Sequence, residues 1–220
     1  MSYKIDLHTH SYASPDGGLA LEAYKYFLDN KLLDYVAVTD HNDIATAKIL
    51  QQKLGPQIII GEEIMTHNGE LIGLFLTEKI EPGLSLLATA KAIKSQGGLV
   101  YVPHPFETVR SGIAEHVLTK IAPFVDIVET ANGRAYRQNY GRQAAQWAHR
   151  HGKATAASSD AHGRFGWGYT YSAVSQQPTK DSLVKALTDA TFSIRRVGFV
   201  GVLYPTFNRL TKRLRKAKRA

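Results

Sequence analysis

Short apolar runs alternate with longer stretches of helical periodicity along this chain, and polar clusters recur where the apolar runs stop. Residues 3–7 alternate and predict a short strand. Leu21, Tyr24 and Leu28 share one face of a helix over 20–30. Residues 35–39 form an apolar run of the kind buried on both faces of a sheet, ending in Asp40-His41-Asn42-Asp43. A helix over 44–54 follows, with Asp43 placed to cap it and Gly55-Pro56 to stop it. A buried strand over 58–60 ends in Glu62-Glu63, Asn68-Gly69 marks a tight turn, and 70–77 predicts the strand beyond it.

The alternation continues. A helix over 85–96 is closed by Gly97-Gly98, and a strand over 99–102 runs into Pro103-His104-Pro105. A helix over 113–121 precedes a strand over 125–128, which ends at Glu129 and is followed by Asn132-Gly133-Arg134. A helix over 140–151 stops at Gly152, and a strand over 154–157 leads into Ser158-Ser159-Asp160-Ala161-His162. A glycine-rich loop over 163–168 and closing strands over 169–174 and 192–195, around a helix near 181–187, complete the pattern. Strands alternating with helices imply a parallel α/β sheet with right-handed crossovers. Such sheets, closed or open, carry their sites at the strand ends. The expected organisation is one barrel domain over 1–200 and a basic amphipathic segment over 201–220.

A length of 220 residues suits a single barrel. A content of 44% hydrophobic and 21% charged residues fits a folded globular chain rather than a disordered one. No apolar run reaches the ~18 residues of a membrane span, and the first residues show no signal-peptide pattern. Cysteine is absent, which removes disulfides and thiolate ligands and, with the features above, predicts a cytoplasmic location. Any metal must then be held by His, Asp and Glu.

The net charge of +8 is concentrated at one end. Beyond Asp189 there is no acid but there are nine bases: Arg195, Arg196, Arg209, Lys212, Arg213, Arg215, Lys216, Lys218 and Arg219. Removing them leaves about −1 for the rest. Leu203, Phe207, Leu210 and Leu214 recur at helical spacing among these bases. Two readings stand. In one, the segment contacts a polyanion, either nucleic acid or an anionic membrane surface. In the other, its apolar face packs on the barrel and its charges face water.

His8 and His10 lie two apart where the first strand ends, and residues so spaced point the same way, offering two imidazoles to one metal ion. His41, Glu63, His104, Asp160 and His162, with Asp16 and Glu70 as supplements, follow other strands or their loops. If the sheet closes, these donors converge and can hold more than one divalent ion. His67 reads as an exposed turn residue, and His116, His149 and His151 as surface residues of helices.

Asp6-Leu7-His8-Thr9-His10, Thr39-Asp40-His41-Asn42, Pro103-His104-Pro105 and Ser159-Asp160-Ala161-His162 resemble the four motifs of the PHP (polymerase and histidinol phosphatase) family. The resemblance implies a distorted (β/α)7 barrel with its active site at the C-terminal ends of the strands. It also implies two or three divalent ions (Zn, Mn or Fe), a trinuclear centre when complete, and hydrolysis of a phosphate ester. By that resemblance His8, His10, Glu63 and Asp160 hold the first ion. Glu63 bridges to the second, which also takes His104, and Glu70 stands where the family often supplies a histidine. Asp16, His41 and His162 hold the third. Glu62 and Glu63 point oppositely on a strand; Glu63 is the bridging choice because it precedes Ile64, as in the family's Glu-hydrophobic pattern. Asp40 steers His41 rather than binding metal.

A bound divalent ion lowers the pKa of its water from ~15.7 towards ~7, which makes hydroxide available as a nucleophile. Arg134, Arg110 and Arg164 are the candidates to grip a phosphate through guanidinium groups. Glu63 and His162 are carried as catalytic residues, with His162 or a metal-bound water as the proton donor to the leaving group. The expected substrate is a small phosphorylated metabolite, a nucleotide or an oligonucleotide end. Two rivals remain. A metal-dependent amidohydrolase also opens with His-x-His, but it usually has a strand-borne lysine, and none stands at a strand end here. A non-catalytic PHP-like protein would bind nucleic acid or a partner and keep its metals for structure.

Overall fold

The structure, a computed structural model, describes residues 2–217. Residues 218–220 of the expected basic segment lie outside the described residues. In chain order the elements are β1 (Tyr3–Asp6), α1 (Leu21–Asp29), β2 (Tyr35–Val38), α2 (Ala45–Leu54), β3 (Ile58–Thr66), β4 (Gly69–Leu74), α3 (Leu86–Ser95), β5 (Leu99–Val102), α4 (Glu115–Leu118), β6 (Ile127–Asn132), α5 (Gly141–Arg150), β7 (Ala154–Ser158), β8 (Tyr171–Val174), α6 (Leu183–Thr188), β9 (Thr191–Ser193) and α7 (Phe199–Ala217).

The sheet order is β7-β6-β5-β4-β3-β2-β1-β8-β9. β1, β2 and β3 run parallel, as do β5, β6 and β7, while β4 is antiparallel to both β3 and β5. The sheet curls until its ends meet. His10 N donates to Ala161 O at 2.9 Å, and Ser172 Oγ on β8 bonds both the N and the O of Ala157 on β7, at 2.9 and 3.1 Å. The result is a distorted, nearly closed α/β barrel.

The sheet is mixed rather than wholly parallel: β8 is antiparallel to β1 and β9 to β8, and the antiparallel β4 has its cause in β3. It runs to Thr66 instead of stopping near Ile60, and its last residue pairs with Gly69. Two residues, His67 and Asn68, make the link, and so short a connection can join only antiparallel neighbours. Gly69 takes φ +117, and a Cβ there would lie 2.6 Å from Ser111 O. The helix expected over 113–121 shrinks to α4 followed by a 3-10 turn, Thr119–Phe124, which contains Pro123, a residue with no N–H to donate. Asp43 does accept from Ala45 N at 3.1 Å, although the helix itself begins one residue later than expected.

Both faces of the strands are buried, which explains their apolar runs. Ile5, Ala37, Ile59, Ile72, Tyr101, Ile127 and Ala156 form one cluster with Leu183 and Leu187 of α6. On the opposite face Val36, Val38 and Ile58 pack with residues of α1 and α2, and Val100, Val102 and Val128 with residues of α3 and α5.

α7 overturns the expectation that its apolar face packs on the barrel. Asn208 and Lys212 face the barrel and donate to its backbone carbonyls, while Leu203, Phe207, Leu210 and Leu214 are 45, 61, 56 and 54% exposed. The loops beneath α7 present carbonyls of Tyr12, Ser14, Asp16, Gly17 and His162, and those acceptors call for donors rather than methyl groups. Among the described residues no helix is long and apolar enough to cross a membrane.

Candidate metal centre

His8 and His10 leave the end of β1 side by side, with their Nε2 atoms 3.1 Å apart. Glu63, midway along β3, meets them from across the barrel mouth. Its Oε1 lies 3.4 Å from His8 Nε2 and 3.2 Å from His104 Nε2, and its Oε2 lies 3.3 Å from His10 Nε2 and 3.1 Å from His41 Nδ1. Asp160 Oδ1, in the loop after β7, approaches His8 and His10 at 3.6 and 3.5 Å. Further out, the two oxygens of Asp16 face His41 Nε2 at 3.5 Å and His162 Nε2 at 3.6 Å. Glu70, from β4, stands 3.6 Å from His41 Nδ1 and 4.0 Å from His104 Nε2.

All nine donors expected from the sequence therefore meet at one rim. They form four overlapping sets, each with ligand atoms within 4.8 Å of one another: His8/His10/Glu63, His8/His104/Asp160, His41/Glu63/Glu70 and His10/Asp16/His41/His162. Glu62 points the other way, accepting from Ile80 N at 2.8 Å. His67, His116 and His149 are exposed and outside these sets.

The donor set fits divalent cations. It is all nitrogen and oxygen, nearly all of it is buried, and imidazole nitrogens face one another without a proton acceptor between them. Asp16 Oδ1 and His104 Nδ1 are buried with no hydrogen-bond partner. The charges are also poised against each other. Burial disfavours charge on His41, but Glu63 and Asp16 outweigh it and lift its pKa to about 9. Burial, helped by His162, lowers His10 to about 3. Burial and the neighbouring Glu63 charge push Glu70 up. Burial would raise Asp160, but Arg134 and His8 hold it well below the usual carboxylate range. His104 and Asp160 also take φ of +27 and +54, conformations that non-glycine residues rarely adopt.

Several supports surround the donors, of which only the role of Asp40 was expected from the sequence. Glu129, within β6, bonds His8 Nδ1 at 3.1 Å through Oε1, and its Oε2 accepts from His104 N at 2.7 Å and Asn132 Nδ2 at 2.8 Å. A carboxylate behind an imidazole fixes its tautomer and raises its basicity. A carboxylate closing the apolar run 125–128 was the signal that could have found it, although β6 itself runs on to Asn132. Asp40 accepts from Ser11 N, Ser11 Oγ and Ser14 Oγ, and Ser14 Oγ reaches His41 N at 3.0 Å and His10 Nδ1 at 3.3 Å. Asp40 thus acts on the cluster through Ser14. Asp6 accepts from Ser159 N and Oγ and from Trp167 Nε1, tying β1 to the Asp160 loop.

α7 supplies the rest. Asn208 Nδ2 donates to Asp16 O at 2.8 Å and His162 O at 2.9 Å, joining the backbones of two outer donors. Lys212 Nζ donates to Tyr12 O, Ser14 O and Gly17 O at 2.7, 2.5 and 2.6 Å, and Arg209 Nη2 pairs with Asp16 Oδ2 at 2.5 Å. Periodicity held no signal for these contacts, because the apolar stripe pointed attention to the other face.

The donors open into a cavity of about 740 Å³ that is also lined by Arg110, Arg134, Arg137 and Arg209. Arg110 Nη1 donates to Asp160 Oδ2 at 2.6 Å, but its Nε and Nη2 are held by both oxygens of Glu107 at 2.8 and 2.6 Å. Arg134 Nη1 lies 3.3 Å from both Asp160 oxygens and 3.2 Å from His162 Nδ1. Arg164 is not brought to this cavity. It lies over the Tyr26 ring, 5.2 Å from the centroid, and lines a separate groove with Phe27 and Tyr204.

Fold and donors together define a class: a distorted α/β barrel whose strand ends gather histidines and carboxylates. The chain belongs to the PHP family. The family model described as PHP-associated matches residues 139–192. The uncharacterised protein MJ1587 of Methanocaldococcus jannaschii is 38% identical over 127 residues, covering 52% of this chain and 74% of that protein. MJ0417 of the same organism is 34% identical over 168 residues, covering 72% of this chain and 65% of that protein. A two-domain protein from Bacteroides vulgatus, described as containing a predicted PHP-like metal-dependent phosphoesterase, has a crystal structure that superposes with a TM-score of 0.70. It shares 20% identity, over 95% of this chain and 70% of that one.

Proposed function

We propose that the protein is a metal-dependent phosphoesterase with a trinuclear site. The observation that supports it most is Glu63, one carboxylate within 3.4 Å of four imidazoles at the floor of an arginine-lined cavity. His8, His10, Glu63 and Asp160 would hold one ion; Glu63, His104 and Glu70 a second; Asp16, His41 and His162 a third. Divalent ions held there supply Lewis acidity, which acidifies water and offsets charge on phosphate oxygens. The chain's own groups do the rest. Arg134 is the better anion grip, because the charge of Arg110 is already matched by Glu107 in two bonds. Burial and Arg134 lower the pKa of His162, which keeps its ring neutral and suits a ligand better than a proton donor. Glu129 and Asp40 orient imidazoles without touching substrate. The substrate class is a small phosphorylated metabolite, a nucleotide or an oligonucleotide end. The amidohydrolase rival finds no lysine among the residues lining this cavity.

The test is a panel of phosphate esters beside amides, assayed with Mn²⁺, Zn²⁺ or Fe²⁺ and after chelation. Phosphoester turnover that chelation abolishes and cation restores is expected, with Glu63→Gln lowering it by roughly a hundredfold or more. Hydrolysis of amides alone, or bound metal with no turnover of any ester, would overturn the proposal.

A further inference from the structure

α7 is amphipathic the wrong way round for a helix that merely packs on a barrel. Leu203, Phe207, Leu210 and Leu214 follow at i, i+4, i+7 and i+11, which lines them along one side of a 19-residue helix. That side faces solvent, with Val200 extending it at 55% exposure. Rotating the helix to bury the stripe would break the bonds from Asn208, Arg209 and Lys212 to the loops that carry Asp16 and His162. The stripe is therefore held outward by the polar face behind it.

Charge selects what could cover it. Arg213, Arg215 and Lys216 are exposed on the same helix, and no acid follows Asp189 in the sequence. A second copy of α7 could bury the stripe but would bring bases against a helix with no carboxylate to pair with them. A nucleic acid could neutralise the bases but would leave four large apolar side chains in water. A bilayer surface with anionic headgroups satisfies both sets at once. Apolar side chains enter the boundary below the headgroups, and the long basic side chains reach up to phosphates.

We propose that the outward face of α7 docks on an anionic phospholipid surface, the helix lying in its plane. Leu203, Phe207, Leu210 and Leu214 would enter the apolar boundary, and Arg213 and Arg215, which flank the stripe, would meet the headgroups.

Co-sedimentation of the full chain with phosphatidylcholine vesicles, with and without phosphatidylglycerol, tests this. Binding is expected only where phosphatidylglycerol is present, and it should weaken as salt rises. The double variant Leu210→Ser, Leu214→Ser should bind at least about tenfold more weakly. The double variant Arg213→Gln, Arg215→Gln should lose about thirtyfold. All these side chains are exposed, and unchanged thermal midpoints would show the variants folded. No sedimentation of the wild-type chain, or equal sedimentation with neutral vesicles, overturns the proposal. So does binding to a single-stranded oligonucleotide, in the absence of vesicle binding, that the serine variant leaves intact. A dimer in solution that the serine variant dissociates, without vesicle binding, assigns the stripe to a second copy and overturns it too.

Discussion

Glu62 and Glu63 are adjacent carboxylates with opposite fates, because successive strand side chains point to opposite faces. Glu63 meets four imidazoles, while Glu62 is buried against Ile80 N and its Oε1 has no partner. Burial lifts the Glu62 pKa to about 7, above its ordinary value of 4.5. A carboxyl whose folded pKa is raised favours the fold while protonated. Its contribution is whole below the unfolded value and is lost as pH rises through about 7. Glu62→Gln imitates the protonated form at every pH. In chelated protein it should match wild type near pH 4.5 and exceed it at pH 8 by on the order of 2 kcal/mol. Denaturation midpoints at the two pH values check this, and an equal difference at both would refute it.

Single residues were also where the sequence was most legible. The His-x-His spacing and the Asp-His clusters follow from a period of two and the rule that strand ends carry chemistry; that period says only that Glu62 and Glu63 point oppositely, and the family resemblance chose Glu63. Glu129 lies inside β6, and its role as a hydrogen-bond partner behind His8 leaves no motif. Arg164 stands two positions beyond His162, with only Gly163 between them, yet its side chain goes to the Tyr26 groove.

Among the elements, β3 and α7 departed from expectation, each for a local reason. β3 outran its apolar core because the tight turn after it holds an antiparallel partner, which adds β4 to the sheet and delivers Glu70. α7 has an obvious apolar stripe, and the usual inference that the stripe faces the protein fails because the surface below offers carbonyl oxygens. That same inner face should matter to metal binding. Asn208→Ala removes the link between the backbones of Asp16 and His162, and Lys212→Met frees the loop that carries Asp16. Each should weaken one class of cation by about ten- to a hundredfold while leaving the others unchanged. Calorimetric titration with Mn²⁺ would resolve the classes, and uniform weakening of all of them would count against a local effect.

For the whole molecule, the alternation of strands and helices was enough to expect an α/β sheet, closed or open, and the family resemblance implied the barrel. How the barrel closes was not legible, because beside the single backbone bond His10 N–Ala161 O the closing bonds are made by single side chains with no periodic signature. Ala157 N donates to Ser172 Oγ, and Ser159 N to Asp6 Oδ1, where a regular ladder would use backbone oxygens. This join lies between β7 and the β1–β8 pair. His8 and His10 stand on one lip of it, Asp160 and His162 on the other. A cation shared by His8 and Asp160 would act as a staple across a seam that the ladder leaves thinly stitched, and stripping it should let the barrel gape there first. In hydrogen exchange of chelated protein, the amides of Ala157 and Ser159 should lose protection ahead of those in β2, and adding cation back should restore the order.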